Sequence, residues 1–210
     1  YVGNATRMLV SELAGKASLV AKARSLGIEL GNYPETTQQI LDEVKQREAQ
    51  GYSYEVADGS LAILLLRHLG RYKPHFTLES FRVIVDDRED TGALAKDAMS
   101  EATIKIHVGD KRFVATGEGA GPVEALDVAL RMAIGEFFPE VEQMELVDFK
   151  VRILDENVGT GAITRVLITT SDGVALWGTV GVSENIIEAS WNALVDSIEY
   201  GLARRELSLR

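Results

Sequence analysis

Few residues in this sequence are of a type and spacing that could do chemistry. The three histidines are His68, His75 and His107. None has a second histidine at the three- or four-residue spacing that places two imidazoles on one metal. His68 falls in an apolar helical pattern and His107 on the polar face of an alternating strand, so each reads as a structural histidine. The absence of cysteine removes thiolate metal sites, disulfides and thiol nucleophiles. There is no G-x-S-x-G elbow, H-E-x-x-H pair or P-loop. The run DDRED at residues 86–90 reads as a solvated loop, with metal binding as the alternative. Trp177 and Trp191 occupy core-facing positions and read as packing residues.

One stretch stands apart. Gly117, Gly119 and Gly121 are followed by Pro122, which suits the first turn of a helix. Glycines before a helix start suggest an anion cradle built from free N–H groups and the helix dipole. The lysine of a P-loop is missing, and Glu118 and Glu124 would repel a phosphate. A smaller anion, such as the carboxylate of an amino acid, suits the site better. The simpler reading is a glycine turn between strand and helix, and pattern alone leaves both open.

The elements that would position this loop follow from periodicity. Residues 1–75 read as helical, with helices at 16–26, 34–50 and 60–69, each followed by a glycine. The third is apolar on most faces, which predicts burial from more than one side. After Pro74 the period changes from 3.6 to 2. Strands are predicted at 76–85, 102–108 and 112–116, then a helix at 122–138 with Val123, Leu126, Leu130 and Ile134 as its stripe. The same order returns as strands at 149–154, 164–170 and 175–182 and a helix at 185–204. Phe81-Arg82-Val83 matches Phe149-Lys150-Val151, and ALDVAL at 125–130 matches ASWNAL at 189–194. The predicted fold class is α+β: a helical segment, 1–75, then a domain at 76–210 made of two βββα copies, 76–138 and 145–204, able to pair about a pseudo-twofold axis.

Composition narrows the function classes. The 210 residues are 46% hydrophobic and 26% charged, an ordinary globular balance. A net charge of −10 argues against nucleic acid or an anionic membrane as partner. No apolar run approaches membrane-spanning length, and a cytoplasmic location is expected. The chain opens at Tyr1 rather than at methionine and reads as a fragment of something longer.

Several stretches together resemble one family. These are Gly3-Asn4 with LVSELAGKAS at 9–18, GYSYEVADGS at 51–60, GPVEAL at 121–126 and WGTVGVSENIIEAS at 177–190. They resemble the C-terminal part of the citramalate synthases, which belong with the 2-isopropylmalate and homocitrate synthases. The likeness covers nearly the whole chain. It implies an intact acyltransferase that condenses acetyl-CoA with a 2-oxo acid, pyruvate for citramalate, in an N-terminal barrel holding a divalent metal. That barrel is not in this sequence, so the fragment itself is expected to have no catalytic residues and no cofactor. The resemblance also implies linker subdomains at about 1–75 and a regulatory domain at about 76–210. The latter forms a homodimer and binds an end-product amino acid, isoleucine for citramalate synthase or leucine for isopropylmalate synthase.

Carried over residue by residue, the effector pocket falls on Gly121, Pro122, Val123 and Glu124, on Leu146, Phe149 and Ile153, and on Thr160 and Ala162. Ala120 and Phe149 stand where the family often has asparagine and tyrosine. Physical chemistry fits these positions to a zwitterion. The helix start offers N–H donors for the carboxylate, Glu124 or Asp148 an acceptor for the ammonium, and Leu146, Phe149 and Ile153 an apolar wall. Gly15, Lys16 and Tyr54 lie in motifs through which the linker supports the partner's active site, or else serve plain helix packing. The remaining alternative is a structural dimerisation module that binds no effector.

Overall fold

The computed structural model describes residues 15–86, 99–154 and 162–208. Three helices come first: α1 (Lys16–Ser25), α2 (Pro34–Ala49) and α3 (Asp58–His68). Gly27, Gly51 and Gly70 follow them with φ of 74°, 107° and 64°, the left-handed conformation that ends a helix and that glycine adopts without strain. Helix α2 buries Thr37, Ile40, Leu41 and Val44 along one stripe. Helix α3 buries every residue from Gly59 to Leu66, because α2 covers one side and a β-sheet another.

The strands form two three-stranded antiparallel sheets. The first contains β1 (Thr77–Asp86), β2 (Met99–Val108) and β3 (Lys111–Gly119) in that order, and is followed by α4 (Pro122–Ile134). The second contains β4 (Glu145–Ile153), β5 (Thr164–Ser171) and β6 (Leu176–Ser183), followed by α5 (Ile186–Ser208). The fold is therefore α+β with a duplicated βββα arrangement, as the periodicity predicted.

By compactness the chain divides into two units. The helical segment through Lys73 groups with Leu146–Tyr200, and Pro74–Glu145 groups with Gly201–Arg210. The sequence reading joined residues 76–210 into one domain. By compactness the helical segment groups instead with the second repeat.

Each repeat is built by the same contact. In the first, Ala102, Ile104 and Ile106 of β2 are buried with Ala125, Leu126, Ala129, Leu130 and Ile134 of α4. Gly117 sits where a Cβ would lie 2.4 Å from the Ala129 amide nitrogen and 2.8 Å from the Ala125 carbonyl oxygen. In the second, a Cβ on Gly181 would lie 1.9 Å from the Ala189 carbonyl oxygen and 2.9 Å from the Ala193 amide nitrogen. Glycine on the strand and alanines on the helix thus bring sheet and helix backbones into contact, at matching sequence offsets in the two copies. Helix α4 stops at Ile134, before the predicted 138. Phe137 leaves the helix to pack its ring edgewise on Phe113, centroids 4.9 Å apart, and a 3-10 turn begins at Pro139.

Candidate functional site

The start of α4 is assembled by backbone geometry. Gly121 is the N-cap in an extended conformation, φ −152° and ψ 168°, and Pro122 opens the first turn. Pro122 has no N–H to leave unpaired, and its fixed φ suits the helix. The Ala125 N–H donates to the Gly121 carbonyl at 3.0 Å. The first N–H groups of any helix have no acceptor one turn back and point out of its end. Here that end carries its own anion: the Ala120 N–H donates to Glu124 Oε2 at 2.8 Å. Glu124 thereby holds the loop before the helix and places negative charge where an ammonium group, rather than a phosphate, would be welcome.

The three glycines before this helix do different work. Gly117 and Gly119 are not loop residues, as the sequence pattern suggested. They lie in β3, paired with Ala102 and Ser100. A Cβ on Gly119 would sit 2.7 Å from the Ala125 amide nitrogen and 2.9 Å from Glu124 Cβ, so this glycine serves helix packing too. At Gly121 a Cβ would meet nothing within 4 Å. Only Gly121 borders open space.

The other predicted pocket residues belong to the second unit and are described by themselves. On β4 the side chains alternate, so Phe149 and Ile153 share a face with Val147 and Val151, while Leu146 points the opposite way with Asp148. The single apolar wall of Leu146, Phe149 and Ile153 is therefore not formed: strand alternation separates the first from the other two. Asp148 is paired with Lys150 through a close ion pair. Ala162 is buried. Thr160 lies outside the described residues, as does most of the acidic run that begins at Asp86.

The β4 face has a consequence for partners. Val147, Phe149, Val151 and Ile153 are 50%, 37%, 38% and 61% exposed. Four apolar side chains in register on one exposed strand face are the kind of patch that a partner normally covers.

The linker residues divide. Gly15 and Lys16 are exposed, and Lys16 Nζ donates to the Pro34 carbonyl at 3.2 Å. Tyr54 is 1% exposed, its ring stacked on Tyr52 with centroids 6.1 Å apart. Its position is that of a core side chain. The histidines are held by local partners: His68 Nε2 lies 2.6 Å from Glu43 Oε2, His107 Nε2 lies 3.3 Å from Glu79 Oε2, and His75 meets the Phe138 ring edge-on. Among the described residues no group of three or more histidine, aspartate or glutamate side chains is placed to hold a metal ion, and no helix is long and apolar enough to cross a membrane.

Sequence reading missed a polar cluster around α3. Ser60 is buried in an otherwise apolar helix, and its Oγ accepts the Val180 N–H at 3.0 Å. On α5, burial pushes the Asp196 carboxyl up to about 6, against the opposing pull of nearby Ser60 and Arg67. The one available signal was a lone serine inside the run SLAILLL at 60–66.

Comparison with known proteins now decides the family. A family model described as the LeuA allosteric (dimerisation) domain matches residues 55–202, well over half of the chain. The chain belongs to the LeuA allosteric (dimerisation) domain family. The match begins before α3, so that helix falls within the family domain. The chain is 50% identical over 204 residues to the (R)-citramalate synthase of Streptomyces coelicolor, covering 97% of this chain and 37% of that protein. It is 43% identical over 205 residues to the (R)-citramalate synthase of Aquifex aeolicus, covering 98% of this chain and 38% of that protein. It is 25% identical over 203 residues to the 2-isopropylmalate synthase of Aquifex aeolicus, covering 96% of this chain and 35% of that protein. The chain thus spans little more than a third of the length of these relatives.

Proposed function

We propose that this LeuA-type chain is the regulatory C-terminal part of a cytoplasmic synthase that makes citramalate from acetyl-CoA and pyruvate, and that it binds isoleucine as a feedback signal. The observation that carries the reading is the 50% identity to an (R)-citramalate synthase across 97% of this chain, in a family domain described as allosteric. The geometry supports it. The α4 start offers N–H donors, Glu124 offers a carboxylate, and the bordering Gly121 leaves room. Together these suit the two charges of a small zwitterion. The condensation, and the divalent metal that would serve it, are assigned to the remainder of the longer enzyme. The linker's Gly15 and Lys16, exposed, remain available to a partner's active site, whereas Tyr54 would act there only after leaving its core position.

Isothermal titration of the chain with isoleucine, leucine and valine tests the effector. Selective isoleucine binding is the expected result, with the two competitors weaker by about tenfold or more, since one methylene-sized mismatch costs roughly 1–3 kcal/mol. Leucine preference would transfer the parent activity to 2-isopropylmalate synthesis, the reading that the 25% identical relative represents. Binding of none of the three would leave a structural dimerisation module.

The homodimer is proposed on the exposed β4 face. A glutamate at its centre, Val151→Glu, would place an unpaired charge in a desolvated interface. Light scattering at micromolar concentration is expected to show a dimer for the unaltered chain and a monomer for Val151→Glu. A variant that remains dimeric would remove this face from the interface.

A further inference from the structure

The second sheet sets two like charges opposite each other. Just past the ends of β4 and β5, the Leu154 N–H donates to the Ile163 carbonyl at 2.9 Å. In the antiparallel pairing of these strands that bond fixes the register, and Arg152 stands directly across from Arg165. Both lie on the face turned away from α5, since Arg165 alternates with buried Thr164 and Val166, on the side from which Thr170 reaches Ser197. Arg152 is exposed and Arg165 half-buried. The turn that ends α2 closes this corner of the sheet. Arg165 Nε donates to the Gly51 carbonyl, and a Cβ on Gly51 would meet Leu154, Ile163 and Val182 within 4 Å. That bond anchors one edge of the Arg165 guanidinium and leaves its two terminal nitrogens for another acceptor.

Like charges directly opposite each other on a sheet are destabilising. Burial, and then the neighbouring Arg152, make the Arg165 charge harder to hold. Among the described residues no carboxylate comes within ion-pair distance of either guanidinium. The acid on the same face of β4, Asp148, is engaged by Lys150 and lies about 13 Å along the strand from Arg152. Acids are not scarce in a chain with 32 of them against 22 basic residues, yet this pair is left without one.

We propose that Arg152 and Arg165 form a binding site for a small doubly charged oxyanion, a phosphate group or a dicarboxylate, held between the two guanidiniums. Each guanidinium presents N–H donors in a planar fork that matches two oxygens of such a group. A single negative charge would offset one arginine only, whereas a dianion offsets both. The site lies in the compact unit that holds the helical segment and the second repeat, and the α4 start lies in the other. It therefore stands apart from the isoleucine reading.

Thermal melts of the 210-residue chain test the site, first in chloride and then with inorganic phosphate or malonate replacing chloride at constant ionic strength. At about tenfold excess over its Kd, the preferred dianion is expected to raise the melting temperature by about 3–6 °C. Arg152→Gln, at an exposed position that leaves Arg165 on Gly51, is expected to abolish this rise. In chloride the same variant should melt about 1–3 °C above the unaltered chain, because the cross-strand repulsion is gone. Arg152→Lys keeps the charge without the fork, so it should retain the chloride value and lose most of the rise. Calorimetric titration of phosphate and of malonate separates the two sources: tighter phosphate binding indicates a phosphorylated ligand, tighter malonate binding a dicarboxylate. A rise of equal size in Arg152→Gln and the unaltered chain would be a general salt effect and overturns the site. So does the absence of any rise with both anions, or an Arg152→Gln chain that melts below the unaltered one in chloride.

Discussion

Gly181→Val is expected to destabilise the second repeat by at least about 3 kcal/mol, and Gly117→Val to do the same to the first. Overpacking a core typically costs about 1–3 kcal/mol when side chains can adjust. Here the added atoms meet backbone. The Cβ alone would come to 1.9 Å from the Ala189 carbonyl oxygen at position 181 and to 2.4 Å from the Ala129 amide nitrogen at position 117. Neither helix can yield without lifting off its sheet and exposing Leu126 and Leu130 in the first copy, or Trp191 and Leu194 in the second. For a chain of this size, about 3 kcal/mol lowers the melting temperature by roughly 6–12 °C. Gly121→Ala makes the control. Its φ of −152° suits any residue and no atom lies within 4 Å of the new Cβ, so the melting temperature should stay within about 2 °C. Isoleucine binding should nevertheless weaken, because Gly121 borders the proposed carboxylate site. Circular dichroism melts of the three variants, with a titration of Gly121→Ala, check this. A Gly181→Val chain that melts with the unaltered protein would show that the helix–strand approach contributes nothing.

That contrast also shows where sequence reading works and where it stops. Strand alternation in β2 was legible because Ile104 and Ile106 face a helix while Lys105 and His107 do not. The duplication was legible because packing alanines recur at fixed offsets, Ala125 and Ala129 against Ala189 and Ala193. The glycines of 117–121 looked like one loop because sequence records the missing side chain and not what occupies its space. In β3 a helix backbone fills it, and at Gly121 nothing does. The wall of Leu146, Phe149 and Ile153 was carried over from a resemblance and split on strand parity, since an odd spacing from 146 to 149 reverses the face. The grouping of the helical segment with the second repeat depends on contacts such as Ser60 to Val180, 120 positions apart, which no local pattern encodes.

Asp196→Asn is expected to stabilise the chain above pH 6 and to leave it unchanged near pH 4. Burial is the main cause of the raised Asp196 pKa, about 6 against an ordinary value of 3.8, and the Ser60 hydroxyl and Arg67 only partly offset it. The groups facing the carboxyl come from every helix around it. Arg47 from α2 and Arg67 from α3 favour its charge, while Glu199, one turn along α5, opposes it. A carboxyl whose folded pKa lies above its unfolded one binds more protons when folded. Between pH 4 and 6 the unfolded chain has lost the proton and the folded chain has kept it, so stability falls as pH rises through this window. Above 6 both states are ionised and the loss is complete, at up to about 3 kcal/mol for a shift of two pH units. Asparagine has the same shape and never ionises. Glu79, held down to about 2 by Arg112, shapes the profile below pH 4.5 equally in both chains, so it cancels in the difference. Urea denaturation of the two proteins at pH 4, 5, 6 and 7.5 should give a gap that grows and then levels off; a gap independent of pH would refute the argument. The carboxylate also lies 4.0 Å from the Arg67 guanidinium, an ion pair between α5 and α3. Asparagine removes that charge, so the substitution that stabilises the fold as a whole should loosen α3 against α5 at neutral pH.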